Sequence, residues 1–288
     1  MSYERIELPD YLAVGNPTLD VQPDGSAVLG GTAVYAAVQA ARLGLSAVAV
    51  GRADPDVLRP YWQPHANEAE LCLQPAATTT MFRNLSAAEA REQWLREWAG
   101  EIDLENLPDS DILHIAPVAQ EVSIDRLGGA AALVCLTPQG LIRRWSDGDG
   151  HVSLVPRRFT AAVAALVGIV VVSEDEAPYL SGLLQDVARR GGLSVVTRGQ
   201  LGCEVLTGDG WSQFPAEPAH PVVDATGAGD CFAAALAIEI FQGRPVPDAI
   251  RLASIAAALC VRGLGLTAIG TRPEIMTAFR APSTRSVT

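Results

Sequence analysis

The chain predicts an α/β fold with a central, largely parallel sheet held between helices, and three stretches predict it. The first is a β–turn–α–β opening: Tyr11-Leu12-Ala13-Val14, then Ala33 to Leu43 with Val34, Val38 and Ala41 as a helical stripe, then Ser46 to Val50. The second is Gly168-Ile169-Val170-Val171-Val172, an apolar run without alternation, as a parallel strand covered on both faces requires. The third is the regular exchange of strand-like and helix-like segments from residue 111 onward.

Taken in order, Tyr11–Val14 ends at Gly15, and Asp20 follows a brief polar turn. Val21 to Leu29 carries Pro23-Asp24-Gly25, a hairpin-like turn signal. Gly30-Gly31-Thr32 opens the first helix, and Gly44 is placed to cap its end. Thr78 to Arg83 reads as a strand, whereas Ala87 to Ala99 has helix-forming composition with Trp94, Leu95 and Trp98 on one face. Strands are expected at Ile112–Ile115, Leu133–Leu136, Ile169–Val172 and Leu193–Val196. Helices are expected at Ile124–Ala130, Phe159–Leu166, Glu176–Arg190, Ala228–Phe241, Asp248–Val261 and Pro273–Arg280. Pro282 to Thr288 reads as a mobile tail, and no repeat or long linker divides the chain.

With 288 residues, 49% of them apolar, the chain can bury a substantial core. It has no apolar run long enough to cross a bilayer and no basic-then-apolar start, so a cytoplasmic location without a membrane partner is expected. All 21 basic residues are Arg. A P-loop lysine, a Schiff-base lysine and the β3 lysine of protein kinases are thereby excluded. Any phosphate must be met by Arg, backbone amides or a metal. The net charge of −12 argues against a nucleic-acid partner. Cys72, Cys135, Cys203, Cys231 and Cys260 lack paired spacing and read as reduced core residues. His114 reads as a satisfied residue at a strand end.

The most informative stretch is Val223-Asp224-Ala225-Thr226-Gly227-Ala228-Gly229-Asp230, followed by an alanine-rich helical run. Gly227 and Gly229 allow a sharp turn and close approach of a ligand. The free N–H groups at the start of the helix make an anion site. Asp230 sets a carboxylate beside that site, which suits a hydroxyl losing its proton while a phosphoryl group arrives. The plain alternative is a strand–turn–helix junction with Asp230 as a helix-start carboxylate. The string resembles the second signature of the ribokinase-like, or PfkB-type, carbohydrate kinases. That resemblance implies an anion hole at Gly227, Ala228 and Gly229, with Thr226 on the nucleotide side and Asp230 as the base.

The resemblance extends over roughly residues 11 to 280. It implies a substrate-binding Asp at Asp20 and a glycine pair over the substrate at Gly30 and Gly31, although Asp favours turns and Gly favours helix starts for purely structural reasons. It implies that Glu176, in Ser173-Glu174-Asp175-Glu176, supports magnesium and phosphate binding; a capping box from Ser173 to Glu176 is the structural alternative. Thr197-Arg198-Gly199-Gln200-Leu201-Gly202 resembles the nucleotide loop of the family, with Thr197, Arg198, Gly199 and Gly202 as contacts, Arg198 meeting either a phosphate or solvent. Ser254 and Gly263 fall on the segments that border adenine. Many sugar kinases carry a sugar-binding Asn where this chain has Tyr35. That departure, with Gly15 to Asp20, Thr78 to Arg83 and Gln139-Gly140-Leu141-Ile142-Arg143, is most similar to the myo-inositol kinase branch. Tyr35 would lay its ring against a cyclitol or pack into the helix core.

The resemblance thus implies one ribokinase-like three-layer domain over residues 1–288, a central mainly parallel sheet with a small β-lid formed near residues 20–29 and 75–100. In the lid it implies strands where composition favours helix. Its implied activity is ATP-dependent phosphorylation of a hydroxyl on a small polyol, cyclitol or sugar, with ATP and Mg²⁺ as cofactors. The lid edge offers pairing for a homodimer. The alternatives are a nucleoside kinase of the same fold and a module that senses a sugar or nucleotide without turnover. A dinucleotide-dependent oxidoreductase is disfavoured, because no Gly-x-Gly-x-x-Gly follows the first strand.

Overall fold

In the computed structural model, which describes residues 8–87, 90–127 and 131–281, the chain opens with β1 (Tyr11–Val14), β2 (Thr18–Val21), β3 (Ala27–Gly30), α1 (Thr32–Arg42) and β4 (Ala47–Ala53). There follow α2 (Pro55–Trp62), β5 (Glu70–Pro75), β6 (Thr80–Ala87), β7 (Ala90–Glu97), β8 (Ser110–Ile115) and β9 (Ala131–Leu136). A short helix α3 (Gln139–Ile142) leads into the hairpin of β10 (Arg143–Trp145) and β11 (Val152–Leu154). Then come α4 (Ala161–Leu166), β12 (Ile169–Ser173), α5 (Ala177–Arg189), β13 (Leu193–Thr197), β14 (Cys203–Thr207) and β15 (Gly210–Phe214). The chain closes with α6 (Ala228–Phe241), α7 (Val246–Cys260) and α8 (Arg272–Arg280).

Nine strands form one sheet in the order β15-β14-β13-β12-β9-β8-β1-β4-β5. From β13 to β5 every pairing is parallel, and β14 and β15 close one edge antiparallel. Strand periodicity sorts the core into two layers. Tyr11, Ala13, Ile112, Val171 and Val195 face α1, α6, α7 and α8. Leu12, Val14, Leu113, Val170 and Val172 face α4 and α5. This is the three-layer arrangement that uninterrupted apolar strands foretell. A separate four-stranded sheet, β3-β2-β6-β7, pairs β2 with β6 in parallel and the rest antiparallel.

Two sequence expectations are corrected or decided here. Ile124–Ala130 is no helix where it is described: Ile124–Arg126 make one 3₁₀ turn, and residues 128–130 lie outside the described residues. Val122 and Ile124 are drawn into the core, and Leu127 is already extended, so the turn does not propagate. Within Ala87–Ala99, of which residues 88 and 89 lie outside the described residues, the strand implied by the resemblance prevails over helix-forming composition at Ala90–Glu97. Phe82 pairs with Leu95, and both are buried with Val118 and Ala119, so cross-strand packing overrides propensity. Trp94 and Leu95, adjacent in a strand, then take opposite faces. Pro282–Thr288 lies outside the described residues. Among the described residues no helix is long and apolar enough to cross a membrane. All five cysteines are free thiols.

His114 is fully buried on β8. Its Nδ1 lies 2.6 Å from the Tyr11 hydroxyl and its Nε2 lies 3.0 Å from Thr137 Oγ1. Burial pushes its pKa down from 6.5 to about 3. The folded state therefore refuses a proton that the unfolded chain accepts. Stability is unaffected above pH 6.5 and is lost as pH falls from there towards about 3. Thermal melts between pH 7 and 4 should show a fall in Tm that His114→Gln reduces.

A second buried group ties the two sheets together. Glu121 accepts backbone N–H bonds from Asn16 (2.9 Å), Val118 (2.7 Å) and Ala119 (2.6 Å). Asn16 in turn donates to Gly100 O at 3.1 Å and accepts from the Arg52 amide at 2.8 Å. The loops after β1 and β8 thus meet at the Glu121 carboxylate, and the end of β4 and Gly100, just beyond β7, meet at the Asn16 side chain.

Candidate active site

A cavity of about 1200 Å³ opens at the carboxyl ends of the main strands. Ligand sites of open α/β sheets belong there. Its wall draws on three sets of elements: the small sheet with the α3 region, the start of α6, and the loops around β12 to β14 with α7.

The start of α6 forms one side of the cavity. Gly227 is the residue before the helix and takes a left-handed φ of +81°. A side chain there would be strained, and its Cβ would come 2.0 Å from Tyr35 Cε1. Asp224 Oδ1 accepts the Thr226 N–H at 2.9 Å, and the N–H groups of Val223 and Asp224 bond Val261 O at 2.7 and 3.2 Å. The loop is thereby anchored to the end of α7. The first N–H groups of a helix have no partner within it; that of Ala228 turns back to Ala225 O at 3.3 Å, while Gly229 and the Asp230 carboxylate line the same cavity.

The small sheet brings Thr18, Asp20, Phe82 and Gln93 to the wall. Gly30 sits directly behind Asp20, where a Cβ would be 2.8 Å from Asp20 Oδ2. Gly31 precedes α1 with a φ of 101°. From α1 and α3 come Thr32 and Gln139. The Gln139 amide donates to Thr32 Oγ1, and Arg143 Nη2 donates to Gln139 Oε1 at 2.9 Å. That order fixes the amide: its oxygen is taken by Arg143, and its nitrogen is the donor. Arg143 also bonds Val118 O at 2.9 Å and lies 5.6 Å over the Phe82 ring.

On the third set, Asp175 and Glu176 line the cavity at the end of β12. Glu176 Oε2 accepts the Ser173 N–H at 3.0 Å, while α5 begins only at Ala177. Half of the capping arrangement is present, and the second carboxylate oxygen is not used by it. Thr197, Gly199 and Gly202 line the cavity, as does Ser254, whose hydroxyl donates back to Ile250 O at 2.9 Å within α7. Val222, Ala257, Ala258 and Val261 add an apolar slot beside them.

Of the residues singled out from sequence, Asp20, Gly31, Tyr35, Glu176, Thr197, Gly199, Gly202, Thr226, Gly227, Ala228, Gly229, Asp230 and Ser254 share this cavity. Three lie off its wall. Gly30 backs Asp20. Gly263 packs on Thr267 and Ala268. Arg198 turns to Glu204 at 3.0 Å and Glu174 at 3.6 Å, in a separate hollow. Its guanidinium is spent on carboxylates rather than offered to a phosphate. Tyr35 is only 1% exposed, with its ring against Gly227. It backs the wall and does not lie open to an acceptor. Sequence reasoning missed Thr32, Gln93, Thr137 and the apolar slot as site residues, and quoted Gln139 and Arg143 only as a motif.

Among the described residues no group of three or more His, Cys, Asp or Glu could hold a metal ion. Among those residues no dedicated metal cage is built. Asp175 and Glu176 fit instead the usual magnesium arrangement, in which one or two carboxylates act beside substrate phosphates.

The chain is 27% identical over 270 residues to the cytidine kinase of Thermococcus kodakarensis, covering 84% of this chain and 92% of that protein. It is 31% identical over 169 residues to the inositol 3-kinase of Arabidopsis thaliana, covering 56% of this chain and 46% of that one. A pyrophosphate-dependent kinase of the ribokinase family, solved with a pyrophosphate analogue and myo-inositol, superimposes with a TM-score of 0.76 at 18% identity, over 93% of this chain and 99% of that chain. The fold is ribokinase-like. The model of the pfkB family carbohydrate kinases matches residues 3–272, and the chain belongs to that family.

Proposed function

We propose that the chain is a kinase domain that transfers the γ-phosphoryl group of ATP to a hydroxyl of a small polyol, a cyclitol or sugar, with the small sheet as a lid. The observation that carries this reading is Asp230 one residue beyond Gly227-Ala228-Gly229, in the cavity that also holds Asp20. Asp230 takes the proton of the attacking hydroxyl. The amides at the start of α6 meet the charge on the transferring group, in a reaction where positioning and electrostatics do most of the work. Asp20 accepts hydroxyl protons of the acceptor, and Thr32 and Gln139 supply donors on the same wall. Closing the lid excludes water that would otherwise compete for the phosphoryl group. Asp175 and Glu176 would hold magnesium, which when bound neutralises phosphate charge.

The apolar slot of Val222, Ala257, Ala258 and Val261 supports a nucleotide as donor. Inorganic pyrophosphate, the donor named for the myo-inositol-bound relative, has no apolar part to fill it. A second acceptor class also has support. Phe82, Val118, Val152 and Leu154 give the acceptor wall an apolar patch suited to a base, and the cytidine kinase is similar over most of its length. The test is a product assay with ATP or pyrophosphate as donor, across myo-inositol, fructose, ribose, cytidine and adenosine. Phosphorylation of myo-inositol or a hexose with ATP supports the reading. Preference for a nucleoside supports the second, and binding without turnover points to a sensor.

Glu176 separates a metal role from a structural one. On the proposed reading, Glu176→Gln raises the Mg²⁺ concentration needed for half-maximal turnover while acceptor KM stays unchanged. A purely structural residue would instead lose about 1 kcal/mol of stability with unaltered metal dependence. A magnesium titration beside a thermal melt distinguishes them.

A further inference from the structure

Tyr35 lies on α1, 1% exposed, with its ring directly beneath Gly227: a Cβ at Gly227 would come 2.0, 2.2 and 2.6 Å from Cε1, Cδ1 and Cζ of that ring. Its hydroxyl oxygen is buried and has no hydrogen-bond partner. Cys231 and Cys260 share the same buried cluster, and Cys260 Sγ lies 3.7 Å from Thr226 O. We infer that Tyr35 is a positioning residue for the amides at the start of α6: its ring is the floor that holds Gly227 in its left-handed turn, and it makes no polar contact with the acceptor. The inference rests on the proposed role of Gly227 to Asp230.

Gly227 can adopt several backbone conformations because it lacks a side chain. Something outside the residue must therefore choose one. The Asp224–Thr226 turn and the bonds to Val261 O fix the approach, but they act before Gly227. The Tyr35 plane is the contact at Gly227 itself, and the Cys231 N–H bond to Gly227 O at 2.9 Å closes the first turn above it. Burial raises the phenol pKa, so the group keeps its proton and plays no part in acid–base chemistry. What matters is the flat, rigid ring. A hydroxyl meant for the acceptor would open on the cavity; this one is sealed from it.

The test uses Tyr35→Phe, Tyr35→Leu and Tyr35→Ala in the full chain, read by steady-state kinetics and by amide exchange over residues 223–231. Tyr35→Phe should hold kcat within about twofold and leave acceptor KM unchanged. Tyr35→Ala should lower kcat by about tenfold or more, because small displacements of catalytic groups are costly. Its acceptor KM should move little, and exchange at Cys231 should quicken. Tyr35→Leu, which fills space without a flat face, should fall between and serves if the Ala variant does not fold. A rise of about tenfold in acceptor KM for Tyr35→Phe would show that the hydroxyl binds acceptor and would overturn the inference. So would wild-type kcat and exchange in both truncated variants. If the wild-type chain turns over no acceptor, the functional reading fails, and the exchange measurement alone decides the role of the ring.

Discussion

Asp230→Asn is expected to lower turnover by about 10²–10⁴. The amide has the shape of the carboxylate but accepts no proton at the working pH, so the attacking hydroxyl stays neutral. Affinity for the nucleotide should change little, since the Gly227–Gly229 amides and the slot near α7 remain. The α6 helix should remain intact as well, because Asn and Asp differ little in helix propensity, although a neutral side chain forgoes a favourable charge near the helix start. Single-turnover measurements with saturating ATP isolate the chemical step. Near-normal turnover would remove Asp230 from the role of base and return it to a helix-start carboxylate.

The largest effect on stability is expected at Glu121. Glu121→Ala strips the acceptor from three buried N–H groups at once, those of Asn16, Val118 and Ala119. Each unmet group costs about 1–3 kcal/mol, and local rearrangement recovers part of the sum. Burial lifts the pKa of Glu121 above the usual glutamate value, even though the three amides pull it down. The carboxylate thus gives no free gain in charge; its value is as an acceptor. Glu121→Gln is the control. With its carbonyl in the place of Oε1 it still serves Asn16 and Val118, but its NH₂ then faces the Ala119 N–H, so its loss should be about half that of the alanine variant. Denaturant unfolding measures both. Acceptor KM should rise alongside in Glu121→Ala, since Asn16 leads into the strand that carries Asp20 and Val118 lines the cavity.

Much of the fold was legible because the deciding interactions are local or periodic. Helix α6 spans the predicted residues 228–241, since a glycine turn precedes an unbroken helix-forming run. The parallel strands at 112–115, 133–136, 169–172 and 193–196 announced themselves by apolar runs that only a doubly covered sheet can hide. Elements whose identity depends on distant partners were not legible. Strand β7 is helix-like in composition and becomes a strand by pairing with β6. Strands β5, β14 and β15 carry no strong signal of their own. The site divides in the same way. Asp20, Glu176 and Asp230 stand beside turns whose chemistry is written in adjacent residues. Glu204 claims Arg198 across a turn, which no count of charges reveals. Tyr35 meets Gly227 from a distant part of the chain, so the neighbour that gives it a role is invisible in one dimension.

Asp230 and Asp20, two of the carboxylates of the site, rest on very different ground. Asp230 stands at the head of a helix in which every residue from Cys231 to Glu239 is buried. Asp20 and Phe82 belong to a four-stranded sheet, and Phe82 sits in a small cluster with Leu95, Val118 and Ala119. Substitutions along the first support threaten the whole fold, whereas those in the small cluster around Phe82 draw on a more local reserve. On the proposed function, the acceptor wall around Phe82 is therefore open to change at less cost to the fold than the start of α6.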